Sequence, residues 1–448
     1  MSTPFIRSLV EIVGAPHCLG GAERAPYVID GRTPCGVVFP GSAEEVARVV
    51  RAAAAAGVPV VPWGGGTEMH RGTPPADGAL VVGLRRLDRV LEHEPGDLTA
   101  TAEAGISMAA LQQALGARGQ WLPLDPPTPE AATLGGVLAA NAAGPRRQGY
   151  GTARDHVIGI RVVAADGQLI RAGGKVVKNV AGYDLAKLYI GSRGTLGIIV
   201  DATLKLRPRP EAIGACWARF PTLAAAAHAA VALAGSELEP AALVLLDAPA
   251  GDACGRHAGL AGAAAAAVVV AFEGLATAVA WERGEAADRL RAAGAETVDR
   301  LADAAAARAL DAVADVRRLV PDAVAIATVG ILPTDVEAYL DAAAALAGTA
   351  GLRVAAATHG GHGLATLILT TSAGPPPPAA ATAAVLAQWR DAARARGGHL
   401  ALEWAPLGVR ELCPVWDPPG PATALMQKLK ARLDPGNLLN PGRFVAGI

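Results

Sequence analysis

Residues 58–69 read VPVVPWGGGTEM, and the order of these residues decides how the chain folds around them. The Ala-rich stretch 44–56 just before them has helical character, and Val58, Pro59, Val60 and Val61 read as a short strand. A helix, a strand and then Gly64, Gly65 and Gly66 present bare backbone N–H groups to something anionic. Glycine tolerates positive φ and has no Cβ to hold a ligand away. Successive N–H groups in such a turn form an anion-binding nest, so a phosphate or pyrophosphate is the expected guest. Taken alone, GGG fits a tight loop without a ligand equally well; what tips the reading is a second glycine series further along.

Upstream, CGVVFP at 35–40 reads as a strand. Ser42 is the N-cap of the following helix, with Glu45 placed to complete a capping box. Val46, Val49 and Val50 make its apolar face, and Gly57 stops it. Downstream, 79–84 and 98–103 read as strands and 108–115 as a helix. A βαβ opening followed by mostly extended segments predicts an α+β domain rather than a doubly wound sheet.

The second glycine series runs from Thr133, Leu134, Gly135 and Gly136 through Asn141 and Gly144 to Gly149 and Gly151. A strand at 155–163, a turn at 165–168 and a return strand at 169–171 follow. KVVKNVAGYD at 175–184 leads into a short helix at 185–190, and GSRGTLG at 191–197 is a third glycine-dense turn before a strand at 198–206. Pro208 and Pro210 close this domain. The three glycine loops read as walls of one extended cofactor site, or, structurally, as hairpin turns. Lys175 and Lys178 could add positive charge for phosphates.

From 211 to 400, Ala-rich helical stretches (223–234, 276–293, 303–314, 335–347) alternate with short strands (242–246, 266–272, 324–329, 351–357, 365–369), an α+β pattern with helices on one face. Pro375 to Pro378 form a stiff loop. His359 and His362 sit in HGGHG, where they could bind a metal, hold a carboxylate or act as a base. The expected organisation is a lead-in at 1–33, a first domain at 34–210, a second at 211–405 and a tail at 406–448.

Composition narrows the function classes. A net charge of −1 over 448 residues offers no nucleic-acid footprint or electrostatic membrane patch. No run of 18 large apolar residues and no basic n-region with an apolar h-region occur, so a cytoplasmic chain without membrane insertion is expected. The five cysteines are scattered without a CxxC pair, which argues against structural zinc and Cys-ligated iron–sulfur clusters. An iron–sulfur relay, if one is used, lies on another chain.

The segments PGSAEEVARVV, VPWGGGTEM, TLGGVLAANAAG, DHVIGIRVVAADGQLI, GTLGII and LDPGNLLNPGRF resemble FAD-linked oxidases with a PCMH-type (vanillyl-alcohol oxidase-like) FAD-binding domain. The resemblance covers nearly the whole chain. Within that family, GPRRQGYGTARDHVIGIRVV and KNVAGYD are most similar to FAD-binding subunits of bacterial glycolate oxidase. It implies a two-subdomain FAD-binding domain, an α+β cap and a tail returning to the FAD domain. By resemblance, Gly64, Gly65, Gly66 and Thr67, with Trp63 and Glu68 beside them, hold the FAD pyrophosphate; Pro126, Thr133, Gly135, Gly136, Ala143 and Gly144 line the flavin; Gly194, Thr195, Gly197 and Ile198 lie on the adenine side; and Asn440 belongs to the returning tail.

Relatives acting on D-2-hydroxy acids carry a His-rich segment and a later Glu-His-Gly that holds a metal in some members. Here the first is GGHG and the second is Glu403, Trp404 and Ala405, so the histidine is missing and no metal is expected. His359, His362 and Glu403 remain the catalytic candidates. The resemblance implies oxidation of glycolate or a similar small 2-hydroxy acid, in a hetero-oligomer with a homologous FAD subunit and an iron–sulfur subunit, through which the chain could lie peripheral to the inner membrane. A non-catalytic flavin-binding or electron-relay subunit and a stand-alone D-lactate-type dehydrogenase are the alternatives. Covalent members place a histidine in or beside the first glycine loop. Here the loop has none until His70. Acid precipitation of the purified protein is therefore expected to release its flavin into the supernatant, and flavin retained in the pellet would contradict this.

Overall fold

The computed structural model describes residues 3–175, 183–260, 262–371 and 376–448. The mixed α/β chain divides into two compact units. The first comprises the residues up to Ala143, Thr152–Arg209 and Pro418–Ile448; the second comprises Gly144–Gly151 and Pro210–Asp417. No helix among the described residues is long and apolar enough to cross a membrane.

In the first unit, the strands Gly36–Val38, Leu80–Gly83 and Val60–Trp63 are parallel, and Cys18–Leu19 adds an antiparallel edge. The helix Ala43–Ala56 connects Gly36–Val38 to Val60–Trp63. Ser42 Oγ accepts from the Glu45 N–H at 3.2 Å, and Gly57 closes the helix at φ +63°. The Glu45 carboxylate reaches back one residue further than a capping box requires, accepting from the Gly41 N–H at 2.7 Å. Val46, Val49, Val50 and Ala53 are buried against the sheet and against Phe5, Leu9 and Val13 of the helix Thr3–Val13, which gives part of the expected lead-in a regular structure. A second, antiparallel sheet of five strands (Val90–Glu94, Thr99–Glu103, Ile198–Lys205, Val157–Val163, Leu169–Gly173) shares this core.

The C-terminal tail is built into this unit by one buried ion pair. Lys430 Nζ donates to Asp434 at 2.7 Å and to the carbonyls of Thr195 and Leu439, both at 2.8 Å. The Asp434 carboxylate also accepts from the Leu438 and Leu439 N–H groups at 2.9 and 2.7 Å. Thus a Lys on the helix Thr423–Leu433 ties the tail to the 191–197 turn. Val60 and Asn440 complete the seam: the Val60 N–H donates to Leu438 O, and the Asn440 N–H to Val60 O, both at 2.8 Å.

The second unit is one antiparallel sheet of eight strands. Its first half runs strand, helix, strand, strand, helix, strand (Ala212–Phe220, Leu223–Ala234, Ala242–Asp247, Ala266–Gly274, Ala276–Ala292, Thr297–Ala302), with the helix Ala248–Ala258 inserted at the central connection. The second half repeats the βαββαβ order (Ala323–Gly330, Val336–Thr349, Leu352–His359, Leu364–Thr371, Ala379–Arg394, His399–Trp404). The halves join along Ala242–Asp247 and Leu352–His359, with Val244 opposite His359.

Helices cover both faces of this sheet, which corrects the one-face expectation. Helices 223–234, 276–292, 336–349 and 379–394 pack on one side. Helices 248–258, 303–314 and 316–319 pack on the other through Ala250, Ala253, Ala309, Val313 and Val316. The reason lies in the strands: in Ala242–Asp247 every residue before the terminal Asp247 is buried, so neither side of the strand faces water. The large buried aromatics are satisfied within the first of these cores. Trp389 Nε1 donates to Ala343 O at 3.0 Å and Tyr339 OH to Trp389 O at 3.1 Å.

Replacing Lys430 with Met leaves Asp434 as a buried, uncompensated charge, and removing one partner of such a pair costs ~3–5 kcal/mol. Lys430→Met is therefore expected to lower the urea midpoint markedly, whereas a stability equal to wild type would show that the tail is held by its backbone bonds alone.

Candidate functional site

In the first unit, the loop after Val60–Trp63 runs along the segment that starts the helix Leu134–Ala140. A Cβ on Gly65 would lie 1.7 Å from Ala131 O, and one on Gly64 would lie 2.3 Å from Thr133 Oγ1. Gly66 turns the loop at φ +79°. Thr133 caps its helix, Oγ1 accepting from the Gly136 N–H at 3.4 Å. These packing demands, rather than flexibility, require glycine here.

The loop opens onto a cleft of about 840 Å³, open space included. Trp63, Gly64, Gly65, Gly66, Thr67, Glu68, Thr133, Gly135, Gly136, Gly194, Gly197, Ile198 and Asn440 line it together. Pro126, Ala143 and Thr195 do not line it, and Gly144 belongs to the second unit. The Thr195 hydroxyl turns inward to Ser192 O at 2.7 Å, and its carbonyl receives Lys430. Lys175 pairs with Glu92 on the five-stranded sheet and is no part of this cleft, while Lys178 and residues 176–182 lie outside the described residues.

Sequence reasoning missed the charge of this cleft. Arg71, Arg193 and Arg443 all line it. Glu68 Oε2 stands 3.2 Å from Arg71 Nη1 and 3.5 Å from Arg193 Nη1, so one carboxylate pairs with two of these guanidinium groups. The signal was present: each of the glycine or Pro-Gly turns at 64–72, 191–197 and 440–443 carries one arginine. Arg443 also donates to Thr73 O at 2.8 Å and Arg71 O at 2.9 Å, which ties the tail to the first loop. Asn440 Nδ2 donates to Arg193 O at 2.7 Å, and its buried Oδ1 has no hydrogen-bond partner among the described residues. Bare backbone, an excess of guanidinium charge, an apolar wall of Trp63, Leu84, Ile198 and Ile199 and an orphaned amide oxygen fit a planar ring system carrying a diphosphate.

The second unit holds a separate polar cluster on the face covered by helices 248–258, 303–314 and 316–319. His359 ends the strand Leu352–His359, and His362 sits in the turn to Leu364–Thr371. The turn is closed by His362 N–H and Gly363 N–H donating to His359 O at 3.1 and 3.0 Å. Arg317 Nη2 donates to Glu403 Oε1 at 2.7 Å and to Thr366 Oγ1 at 3.3 Å. Arg317 Nε takes the other Glu403 oxygen, and Thr328 Oγ1 donates to the same carboxylate.

The segment Gly144–Gly151, flanked in sequence by the first unit, delivers two more groups. Arg146 grips the fully buried Glu273 side chain with Nε at 3.0 Å and Nη2 at 2.7 Å. The Gly149 N–H donates to Ala241 O at 3.2 Å. Gln148 lies against the histidine turn, its Oε1 2.4 Å from where a Cβ on Gly361 would stand.

Burial pushes the His359 imidazole down to about 3, and the positive charge of Arg147, Arg317 and His362 works in the same direction. His362 is lowered as well, by burial and then by Arg147. Lowered values keep both rings neutral at pH 7, able to accept a proton or a hydrogen bond. Among the described residues, no group of three or more His, Cys, Asp or Glu side chains converges as a metal site would require.

Residues 209–444, more than half of the chain, match the family described as FAD linked oxidases, C-terminal domain, and residues 34–173 match the FAD binding domain. The chain belongs to the FAD-linked oxidases. This FAD-linked oxidase is 38% identical over 216 residues to glycolate oxidase subunit GlcD of Bacillus subtilis (strain 168), covering 48% of this chain and 46% of that one. It is 40% identical over 155 residues to glycolate oxidase subunit GlcE of Escherichia coli (strain K12), covering 34% and 44%. The chain thus spans less than half the length of these relatives. In fold it resembles p-cresol methylhydroxylase, with a TM-score of 0.79 at 16% identity over 98% of this chain and 96% of that one. FAD is the cofactor, and the cleft of the first unit has the shape and charge to take it.

A methyl at Gly65 collides with a backbone carbonyl and forces the loop outward, an overpacking cost of ~1–3 kcal/mol. Gly65→Ala is expected to weaken FAD binding roughly tenfold or more, read as the flavin-to-protein absorbance ratio after gel filtration. Full flavin content would remove the cleft from consideration as the cofactor site.

Proposed function

We propose that the chain is the FAD-binding subunit of a glycolate oxidase-type complex and oxidises glycolate or a similar short 2-hydroxy acid to the 2-oxo acid. The observation that carries this reading is the His359–His362 turn, against which Gln148 packs, on the sheet face that also holds Arg317, Thr366 and Glu403, in an FAD-linked oxidase. Bound FAD supplies the two-electron acceptor. The chain's own residues supply a positive field for an anionic substrate and a base for its hydroxyl proton.

His362 is the base. Its ring stands exposed in the turn where a substrate can reach it, whereas burial pushes the His359 imidazole down to about 3. His359 instead orients the hydroxyl by a hydrogen bond, and Glu403 acts by fixing Arg317. The names of GlcD and GlcE as subunits support a multi-chain assembly. A homologous FAD subunit and an iron–sulfur subunit would complete it, and contact with the inner membrane would run through them.

One observation favours the second reading, a flavin-binding subunit without its own chemistry: Glu403 is spent on Arg317 and Thr328 rather than facing a metal or substrate. Anaerobic titration of the purified holoprotein with glycolate separates the two. Bleaching of the flavin absorbance is expected, with His362→Ala slowing it roughly 100-fold or more, the usual scale of general-base catalysis. A flavin that stays oxidised with glycolate and D-lactate, and that relays electrons only when the other chains are added, would replace the catalytic reading by the relay.

A further inference from the structure

The single hydroxyl of glycolate is taken up by the two histidines, which leaves Gln148 at their turn without a role. Gln148 Oε1 is buried and has no hydrogen-bond partner among the described residues, as is the case for His359 Nδ1 at the start of the turn. Its place at the turn is a matter of direct contact. A Cβ on Gly361 would stand 2.7 Å from Gln148 Nε2 and closer still to Oε1, so the amide packs on the residue that directly precedes His362. The backbone on either side is held as well. Arg146 Nη2 donates to the buried Glu273 carboxylate at 2.7 Å, and the Gly149 N–H donates to Ala241 O at 3.2 Å. The amide is thus set at the turn by its neighbours rather than by a bond of its own. Buried polar groups in native proteins are nearly always satisfied, so an amide held in this way marks the place of a ligand's polar atom.

We infer that Gln148 is the specificity-determining residue of this turn and takes a hydroxyl on C3, so that the preferred substrate is a short 2,3-dihydroxy acid. This rests on the 2-hydroxy-acid reading above and names the substrate class within it. Glycolate has no second hydroxyl, and D-lactate brings a methyl group that leaves the amide unpaired. A hydroxyl suits the amide in either orientation, because it donates to Oε1 or accepts from Nε2. A site built around such a group rejects the analogue that lacks it, since a buried polar atom is then left without a partner. With the C2 hydroxyl at His362, the substituent beside the reacting carbon is the one that meets the amide on Gly361. The oxidation itself is unchanged. The hydroxyl proton at C2 goes to His362, the C2 hydrogen leaves as hydride to bound FAD, and the products are the 3-hydroxy-2-oxo acid and reduced FAD.

The inert pair 3-hydroxypropanoate and propanoate differ only in the C3 hydroxyl and have no C2 hydroxyl to oxidise, so they test recognition apart from chemistry. Isothermal titration of the FAD-loaded protein is expected to show roughly 10-fold tighter binding of 3-hydroxypropanoate. In turnover, kcat/KM for D-glycerate should exceed that for D-lactate roughly 10- to 100-fold. Gln148→Leu keeps the packing on Gly361 and removes the amide, and it should abolish both preferences while leaving the flavin content unchanged. Gln148→Glu keeps an acceptor, so the D-glycerate preference should persist even as charge repulsion raises the KM of both acids. Equal binding of the two inert acids by wild-type protein, or a preference that survives in Gln148→Leu, would overturn the inference. If wild-type protein binds neither inert acid and its flavin is reduced by no 2-hydroxy acid, the functional reading itself fails and the inference falls with it. That outcome is recognisable because it requires no variant.

Discussion

A carbonyl oxygen, that of Ala131, stands where a side chain on Gly65 would have to begin. The rest of the first unit depends on this close approach. It brings the end of Val60–Trp63 against the start of Leu134–Ala140, so that two loops separated in sequence share one cleft. Neighbouring glycines meet the same constraint: a Cβ on Gly135 would stand 2.7 Å from Ala104 Cβ, and one on Gly197 2.3 Å from Val162 Cγ1. The glycine series thus serves packing first, and the exposed backbone offered to a diphosphate follows from it.

The C-terminal tail shows how a distant segment is recruited to such a site. A buried lysine is costly unless its charge and all its donors are matched. Lys430 meets that condition with one carboxylate and two carbonyls, one from the GTLG turn and one from the tail itself. Its pKa is lowered by burial and held up by Asp434. The arrangement places Asn440 and Arg443 in the cleft wall, and Arg443 then returns hydrogen bonds to the first loop. The cleft therefore combines the charge of three separate stretches of chain.

In the second unit the same economy of charge governs the histidine turn. Buried or half-buried carboxylates take up two of the arginines of this unit, Arg146 on Glu273 and Arg317 on Glu403. The pairs hold an arm and a strand edge in place. Burial, and after it the charge of Arg147, then lowers both imidazoles. The duplicated βαββαβ framework makes this possible, because the join between its halves sets His359 opposite Val244.

Much of this was legible in the sequence. The glycine spacing, the Ser42 cap and the strand alternation of the first unit are local patterns, and local patterns report local conformation; the return of the tail was implied only by the family resemblance. The faces of the second sheet were not legible, because alanine packs against either side and strands buried on both faces show no alternation. Nor did spacing show that Gly144–Gly151 leaves its sequence neighbours for the other unit, since that depends on Glu273, more than a hundred residues away, offering a buried carboxylate to Arg146. By itself the sequence determined where backbone would be bare and where helices would begin and end. Only the tertiary structure decided which charges meet, because an ion pair between distant segments exists only once the hydrophobic core has brought its two ends together.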